Sequence, residues 1–248
     1  MKITGNTILI TGGGSGIGLA LAEAFVGAGN EVIICGRRES KLQEAQEAMP
    51  DIHVKRCDLS VAEERAALFE WTSSYFPQVN VLVNNAGIQR TIDFTKGTEQ
   101  LFAGENEVET NLVAPIQLSA YFIPVLLEKE ESAIVNVSSG LGFVPIAAMP
   151  VYCATKAAVH SFSASIRHQL RNTPIKVFEV IPPTVDTELN QEGRAARGQP
   201  HMGMPPAPVA QATLDGMEND LFEITVGESG GLASAWNFTE MFQNMNRW

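Results

Sequence analysis

A glycine-rich segment near the amino terminus lies between an apolar run and a run of helical character. Residues 7–11 read TILIT, which is typical of a buried strand, and residues 12–18 continue as GGGSGIG. Glycines permit a tight turn with positive φ, and the helix that follows offers free N–H groups and the positive end of its dipole. This strand, turn and helix predict a phosphate-binding site at the start of an α/β fold.

Short apolar runs alternate with longer runs of helical period along the rest of the chain. Such strands between helices are typical of a parallel sheet covered on both faces. The pattern predicts an α/β fold with about seven strands in a single domain, residues 1–248. The predicted strands cover residues 7–11, 31–35, 53–57, 79–83, 133–137, 176–181 and 223–226, and the predicted helices cover residues 19–28, 39–49, 62–76, 111–130 and 151–171.

An irregular segment rich in Pro, Gly and Gln, residues 182–208, follows the strand predicted at 176–181. A long segment of this kind inside a compact domain is usually functional or mobile. It leaves the carboxyl end of a late strand, which is where open α/β sheets bind their ligands. We therefore expect residues 186–208 to form a substrate lid; the alternative is an ordinary surface loop.

The charge balance and the cysteines limit the partners and the setting of the chain. With 17 Lys+Arg and 28 Asp+Glu the net charge is −11, which argues against general binding to nucleic acid or to anionic membranes. The three cysteines are widely spaced without a C-x-x-C pair, the four histidines lack metal-ligand spacing, and no apolar run has the length of a membrane span. We expect a cytoplasmic protein that binds no metal ion, nucleic acid or membrane.

An arginine pair, Arg37 and Arg38, follows the second predicted strand. Dinucleotide folds that prefer NAD place a carboxylate at this position to hold the ribose 2′-hydroxyl. Here the carboxylate of Glu31 is at the beginning of the strand instead. Because guanidinium groups bind phosphate bidentately, the pair favours the 2′-phosphate of NADP(H). NAD(H) is the alternative, with both arginines solvated and pairing with Glu39.

A tyrosine and a lysine, Tyr152 and Lys156, lie four residues apart at the start of the helix predicted at 151–171. Residues at i and i+4 share one helical face, and a cation beside a phenol favours the phenolate, which improves it as a proton donor and acceptor. Alone, such a pair is common by chance. Here it follows a strand that ends in two hydroxyls, Ser138 and Ser139, and this combination is far more specific.

Five motifs occur in one order along the chain: TGGGSGIG at 11–18, NNAG at 84–87, Asn111, SS at 138–139 and Y-x-x-x-K at 152–156. In this order they resemble the classical short-chain dehydrogenases/reductases, and the resemblance covers roughly residues 5–227. It implies a doubly wound, Rossmann-like sheet flanked by helices. It also implies an oxidoreductase that transfers hydride between NADP(H), or NAD(H), and a small carbonyl or alcohol substrate.

The resemblance assigns roles residue by residue. Tyr152 would protonate the reduced carbonyl or deprotonate the alcohol, and Lys156 would bind the nicotinamide ribose and lower the pKa of the tyrosine. Ser139 would orient the substrate oxygen, and Asn111 would support a relay water beside Lys156. The expected cofactor-binding residues are Gly12, Ser15, Gly16, Ile17, Gly18, Arg37, Arg38, Asp58, Leu59, Asn85, Gly87, Tyr152, Lys156, Val185 and Thr187. Two of the residues with assigned roles, Asn111 and Asp58, have a structural alternative, because Asn and Asp are also good helix or turn caps.

The prediction also covers the substrate pocket and the assembly. We expect the substrate pocket to be shaped by Phe143, Ile146, Met149, Leu189 and residues 190–205. The resemblance implies a homodimer or homotetramer built on the helices near 111–130 and 151–171, although the tail after residue 227 departs from the family pattern. The alternative function is a catalytically silent dinucleotide-binding regulator or a cell-envelope accessory protein. The complete Tyr, Lys, Ser and Asn set argues against it, because a binding module needs no aligned proton donor.

Overall fold

The computed structural model describes residues 1–196, 198 and 203–234, in which the strands form a single sheet. They are β1 (Thr7–Thr11), β2 (Glu31–Gly36), β3 (His53–Arg56), β4 (Val79–Asn84), β5 (Ser132–Val137), β6 (Ile175–Ile181) and β7 (Glu223–Thr225). All neighbouring strands are parallel, in the order β3-β2-β1-β4-β5-β6-β7. The sheet is therefore doubly wound and Rossmann-like, as predicted.

Helices cover both faces of this sheet. They are α1 (Gly16–Gly27), α2 (Glu39–Ala48), α3 (Ala62–Tyr75), α4 (Thr98–Phe102), α5 (Ala114–Leu126), α6 (Pro150–Gln169), α7 (Gln191–Ala196), α8 (Ala207–Glu218) and α9 (Ser229–Ser234). One apolar cluster joins α1 and α8 to one face, and a second joins α3, α5 and α6 to the other. Burial on both faces explains why the central strands read as continuous apolar runs.

The predicted strands agree with the observed ones to within one residue at each end, but several helices differ. The first helix begins at Gly16 rather than at residue 19, because glycine has a low helix propensity and conceals the start. A π-helical turn, Glu109–Val113, replaces the first residues of the helix predicted at 111–130. Helix α8 was not predicted.

The segment predicted as an irregular lid, residues 186–208, has some regular structure. It contains the short helix α7, and a parallel bridge joins Val185 to Met204 just before helix α8. Residues 197 and 199–202 of this segment and the tail at 235–248 lie outside the described residues.

A chain of buried polar side chains crosses the sheet between β4 and β5. Asn84 and Asn136 are paired in register, and the Asn84 amide donates to Asn136 Oδ1 at 2.9 Å and to Ser119 Oγ at 3.3 Å. Asn136 in turn donates to Ser163 Oγ at 2.9 Å. The network links the sheet centre to α5 and α6.

The strand order reverses between β1 and β4, with β2 and β3 on one side and β5, β6 and β7 on the other. In such sheets a ligand crevice forms outside the carboxyl ends of the strands at this point. In the described part of the chain, no helix combines the length and apolar character needed to cross a membrane, and no group of three or more His, Cys, Asp or Glu side chains is placed to hold a metal ion.

Candidate active site

The glycine-rich turn folds tightly at the carboxyl end of β1. Gly12 has φ +66° and Gly16 has φ +56°, a region that side chains rarely adopt. Gly18 is required for a different reason. A Cβ built on it would lie 2.8 Å from the carbonyl carbon of Gly12 and closer still to the carbonyl oxygen, so only hydrogen fits where the helix crosses the turn. The turn therefore brings bare backbone N–H groups to the cleft.

Two side chains hold the turn: Asn85, which follows the neighbouring strand β4, and Thr11, the last residue of β1. The Asn85 side chain donates to the carbonyl oxygen of Thr11 at 2.9 Å and to that of Gly12 at 3.3 Å. The Thr11 hydroxyl accepts from the backbone N–H of Asn85 at 3.0 Å and of Ala86 at 3.1 Å, and donates to the carbonyl of Val83. Asn85 is thus a structural support of the turn as well as a wall of the cleft.

A cleft of about 810 Å³ lies at the strand reversal and joins most of the predicted site residues. Four of them are absent from its lining: Gly18, Asp58, Leu59 and Asn111. The predicted residues that line it are Gly12, Ser15, Gly16, Ile17, Arg37, Arg38, Asn85, Gly87, Ser139, Tyr152, Lys156, Val185 and Thr187. A single cleft therefore connects the glycine turn to the Tyr152 helix.

The arginine pair lies at one end of this cleft, and each guanidinium contacts a carboxylate. Arg37 pairs with Glu105, and Arg38 pairs with Glu188 while donating to Ser15 Oγ at 2.8 Å. Arg38 thereby links the glycine turn to the segment after β6. Any anion that bound here would have to compete with Glu105 and Glu188 for the two guanidinium groups.

Asp58 is engaged by its own turn rather than by the cleft. Its Oδ1 accepts from the backbone N–H of Ser60 at 2.9 Å and from the Ser60 hydroxyl at 2.7 Å. Burial acts to raise the pKa of Asp58, but these bonds and the Arg37 charge outweigh it and lower the pKa. The geometry matches the capping alternative, and Leu59 beside it is buried.

Tyr152, Ser139 and Lys156 meet at the opposite end of the cleft. The Ser139 hydroxyl is close enough to the Tyr152 hydroxyl to act on its pKa, and Ser139 Oγ accepts from the backbone N–H of Leu141 at 3.1 Å. Lys156 Nζ lies 5.7 Å from the centroid of the Tyr152 ring and donates to the carbonyl of Val137 at 2.8 Å. A proton donor, a hydroxyl partner and a buried ammonium thus share one pocket.

The pKa of Tyr152 shifts in the direction opposite to the one expected from its lysine. Burial raises the pKa of Tyr152 to about 12, and the nearby Ser139 hydroxyl opposes this. Burial also lowers the pKa of Lys156 to about 8, opposed by the charge of Glu179. The Lys156 ammonium is directed at the Val137 carbonyl and does not offset the effect of burial on Tyr152. The tyrosine hydroxyl therefore stays protonated at neutral pH.

Asn111 lies in the π-helical turn before α5 and is buried. Its side chain accepts from the backbone N–H of Ile88 and donates to the Ile88 carbonyl, both at 2.8 Å, and donates to Thr155 Oγ1 at 3.2 Å. A Cβ on Gly87 would contact both Asn111 Oδ1 and Lys156 Nζ, which places both groups close to this glycine. π-Helical turns are frequent at functional sites because they redirect one side chain.

Comparison with known proteins identifies the family. The model of the short chain dehydrogenase family matches residues 6–198. The chain belongs to the short-chain dehydrogenase family. An uncharacterized oxidoreductase of Bacillus subtilis, DltE, is 51% identical over 99% of this chain and 98% of its own length.

Solved structures of this family share the fold. A short-chain dehydrogenase/reductase from Burkholderia phymatum in complex with NAD has a TM-score of 0.87 at 22% identity, over 98% of this chain and 96% of that one. A short-chain dehydrogenase from Sphingobium yanoikuyae in complex with NADPH has a TM-score of 0.81 at 27% identity, with the same coverages. This chain is therefore an oxidoreductase of the short-chain dehydrogenase type, with structural relatives that hold nicotinamide dinucleotides.

Three of the apolar residues expected to shape a substrate pocket line the cleft: Ile146, Met149 and Leu189. Phe143 does not line it; its ring packs against His160 with centroids 4.5 Å apart. The segment after β6 contributes Asn190, whereas residues 197 and 199–202 lie outside the described part of the chain.

Two buried carboxylates near the site were missed by sequence reasoning. Glu107 accepts from the backbone N–H of Arg90 at 2.9 Å, burial raises its pKa, and its charge acts on Tyr152. Glu179 is fully buried in β6 and bonds Ser138 and His160. For Glu179 the sequence did contain a signal, namely a charged residue at a strand position that should be apolar. Charged residues are almost never fully buried unless they are paired.

Replacement of Lys156 by methionine is expected to stabilise the fold at pH 7 by about 1–3 kcal/mol, because a desolvated ammonium gives way to a neutral side chain. The folded lysine titrates near pH 8, whereas an unfolded lysine keeps its proton to about pH 10.4. Between these two pH values the unfolded state binds more protons than the native state, so the free energy of unfolding of the native protein rises with pH. The Lys156→Met variant has no lysine at this position and should not show this rise.

Chemical denaturation at pH 7 and at pH 10 measures both effects. The exposed Lys96→Met is the matched control and should change the free energy of unfolding by less than about 0.5 kcal/mol. A Lys156→Met protein less stable than the native chain at pH 7 would show that the ammonium is well compensated.

Proposed function

We propose that this short-chain dehydrogenase is a carbonyl reductase or alcohol dehydrogenase that transfers hydride between NADP(H) and a small carbonyl or alcohol substrate. The observation that carries the proposal is that Tyr152, Ser139 and Lys156 line the same cleft as the glycine turn. A binding module has no need of a buried proton donor aligned with a second hydroxyl. The catalytically silent alternative therefore has less support.

The residues present fit a nicotinamide dinucleotide. Only a hydrogen atom fits at Gly18, and the turn it permits exposes the helix N-terminus to a pyrophosphate. The cleft then extends from Arg37 and Arg38 to Lys156 and Tyr152. The dinucleotide, when bound, supplies or accepts the hydride.

The side chains of the chain itself divide the remaining work. Ser139 would hold the substrate oxygen, and Tyr152 would donate its hydroxyl proton to that oxygen as it gains negative charge, or remove the proton in the reverse direction. The pKa of Tyr152 near 12 keeps the proton on the phenol until an oxyanion draws it away. Lys156 would bind the nicotinamide ribose, and its charge would stabilise the phenolate that remains. Asn111, fixed on Ile88, would hold the turn that carries Gly87.

The preference for NADP(H) over NAD(H) rests on Arg37 and Arg38. We expect the double variant Arg37→Ala/Arg38→Ala to weaken NADPH binding at least about tenfold and NADH binding by less than about threefold, because only NADPH has the 2′-phosphate that charge-assisted bonds would hold. Both guanidiniums are exposed and already paired with carboxylates, so the effect falls below that of a buried pair.

Fluorescence titration with each cofactor measures this preference. The exposed Arg171→Ala serves as the control for loss of a positive charge and should leave both affinities unchanged. Equal losses for NADPH and NADH in the double variant would assign the cleft to NAD(H).

The reaction class is tested with a panel of ketones, aldehydes and alcohols, each assayed with both cofactors. Oxidation of NADPH by any carbonyl in the panel supports the proposal. Tight NADPH binding without turnover on the whole panel would favour the silent regulator or cell-envelope accessory protein instead.

We also infer a cytoplasmic setting and a homodimer or homotetramer. The assembly is supported by Ile116 and Leu127, which leave apolar surface exposed on and just after α5. The single sheet from β3 to β7 supports one domain. We propose that residues 186–208 act as its substrate lid.

A further inference from the structure

A buried cluster of three polar side chains lies directly behind the proposed catalytic groups. Glu179, in the middle of β6, has no exposed surface, and its two carboxylate oxygens have separate partners. The Ser138 hydroxyl donates to Oε1, and His160 Nδ1 lies 2.8 Å from Oε2. All three residues are buried. A carboxylate is kept in such a place only when hydrogen bonds and opposite charge compensate its desolvation.

The cluster connects to the catalytic groups on two sides. Ser138 immediately precedes Ser139, so its bond to Glu179 fixes the strand end from which Ser139 projects. Lys156 donates to the carbonyl of Val137, the residue before Ser138, and lies one helical turn before His160 on α6. Residues spaced by four share a helical face, so Lys156, which bonds Val137 of β5, and His160, which contacts Glu179 of β6, lie on the same face of α6.

Glu179 is the anionic group that acts on Lys156 in this pocket. Burial lowers the pKa of the Lys156 ammonium, and the charge of Glu179 acts against that loss. The other groups around Lys156 are the Tyr152 ring, on its own helix, and Asn111, which is also close to Gly87. The buried Glu107 and the Cys153 thiol act on Tyr152. The remaining titratable neighbour of the carboxylate is His160.

We propose that Glu179 is a positioning residue that supplies the buried counter-charge of Lys156 and, through Ser138, fixes the strand end that carries Ser139. The ammonium then stays charged where the nicotinamide ribose would bind. His160 holds the second carboxylate oxygen and so keeps the carboxylate directed at the α6 side of the sheet. The proposal rests on the proposed function only in giving Lys156 a cofactor to bind.

The test is the pH dependence of NADPH affinity, which requires no turnover. In the native chain NADPH binding should weaken as the pH rises past about 8, where Lys156 loses its proton. Glu179→Gln keeps the shape of the side chain and removes the charge, and we expect the midpoint of this loss to fall by about one pH unit. Glu179→Asp, which keeps the charge, should restore the native midpoint.

Two control variants separate charge from structure. Glu223 lies opposite Glu179 in register on β7 but pairs with Arg167 at 3.1 Å, so Glu223→Gln should leave the midpoint unchanged. Ser138→Ala removes one hydrogen bond and keeps the carboxylate. We expect it to raise the KM for a carbonyl substrate without moving the midpoint, because only the placement of Ser139 is altered.

If Glu179→Gln is too unstable for cofactor titration, the double variant Glu179→Gln/Lys156→Met decides. Lys156→Met should stabilise the Glu179→Gln chain by more than it stabilises the native chain, because the ammonium there has lost its counter-charge. An unchanged midpoint in Glu179→Gln, or an equal effect of Lys156→Met in the two chains, would overturn the proposal. Absence of turnover on every substrate would instead count against the proposed function and leave these binding measurements intact.

Discussion

Replacement of Tyr152 by phenylalanine is expected to lower kcat by about 10²–10⁴-fold, the usual contribution of a positioned proton donor. The ring is buried at the start of α6, and phenylalanine fills the same space, so the fold should be retained. NADPH affinity should stay within about twofold of the native value, because the glycine turn is held by Asn85 and Thr11 and not by the tyrosine hydroxyl. Steady-state kinetics with the most active carbonyl and fluorescence titration of NADPH measure the two quantities.

The chain supplies a matched control in Tyr75, which is exposed at the end of α3. Tyr75→Phe removes the same hydroxyl far from the cleft and should leave kcat and NADPH affinity as in the native protein. Full activity of Tyr152→Phe would end the acid–base assignment. Equal loss of cofactor binding and turnover would assign Tyr152 to the cofactor alone.

Replacement of Gly18 by alanine is expected to abolish measurable NADPH binding and to lower the free energy of unfolding by about 1–3 kcal/mol. The new methyl group would meet the backbone carbonyl of Gly12, and backbone cannot move aside as a flexible side chain does. The turn must open, which displaces the N–H groups meant for the pyrophosphate. Guanidinium denaturation and NADPH titration report the two effects separately.

Gly27, the last residue of the same helix, provides the comparison. Nothing lies within 4 Å of a Cβ built there. Gly27→Ala should be neutral or stabilising by up to about 1 kcal/mol, with unchanged NADPH affinity. Native-like NADPH binding by Gly18→Ala would show that the turn is not the cofactor site.

Local patterns predicted the sheet and the centre of the site. A strand's apolar run, a glycine turn and a Y-x-x-x-K pair each lie within a few residues of sequence, so their geometry follows from local rules. The pairing of Arg37 with Glu105 and of Arg38 with Glu188 joins residues far apart in the chain, and sequence alone offered only Glu39 as a partner. The direction of the pKa shift at Tyr152 likewise depends on its burial, which only the packed structure gives.

The structure of the segment between β4 and α5 was not predicted, because no periodic pattern of apolar residues marks it. Helix α4 has only five residues, and the Arg90 guanidinium donates to carbonyl oxygens of Gln100, Leu101, Ala103 and Glu105 around its end. One arginine thus replaces the apolar face on which helix recognition depends. Glu107, which follows, was missed for the same reason, since its partner is the backbone N–H of Arg90.

The Asn84–Asn136 network has a consequence for how the chain selects its strand neighbours. A slip of one residue turns every side chain of a strand to the opposite face. Because β4 and β5 are buried on both faces, their apolar side chains alone would oppose such a slip only weakly. Here such a slip would bury two amides away from Ser119 and Ser163, and each unsatisfied group costs about 1–3 kcal/mol. The amides therefore make misaligned sheets unfavourable during folding, before any cofactor is present to select the correct one.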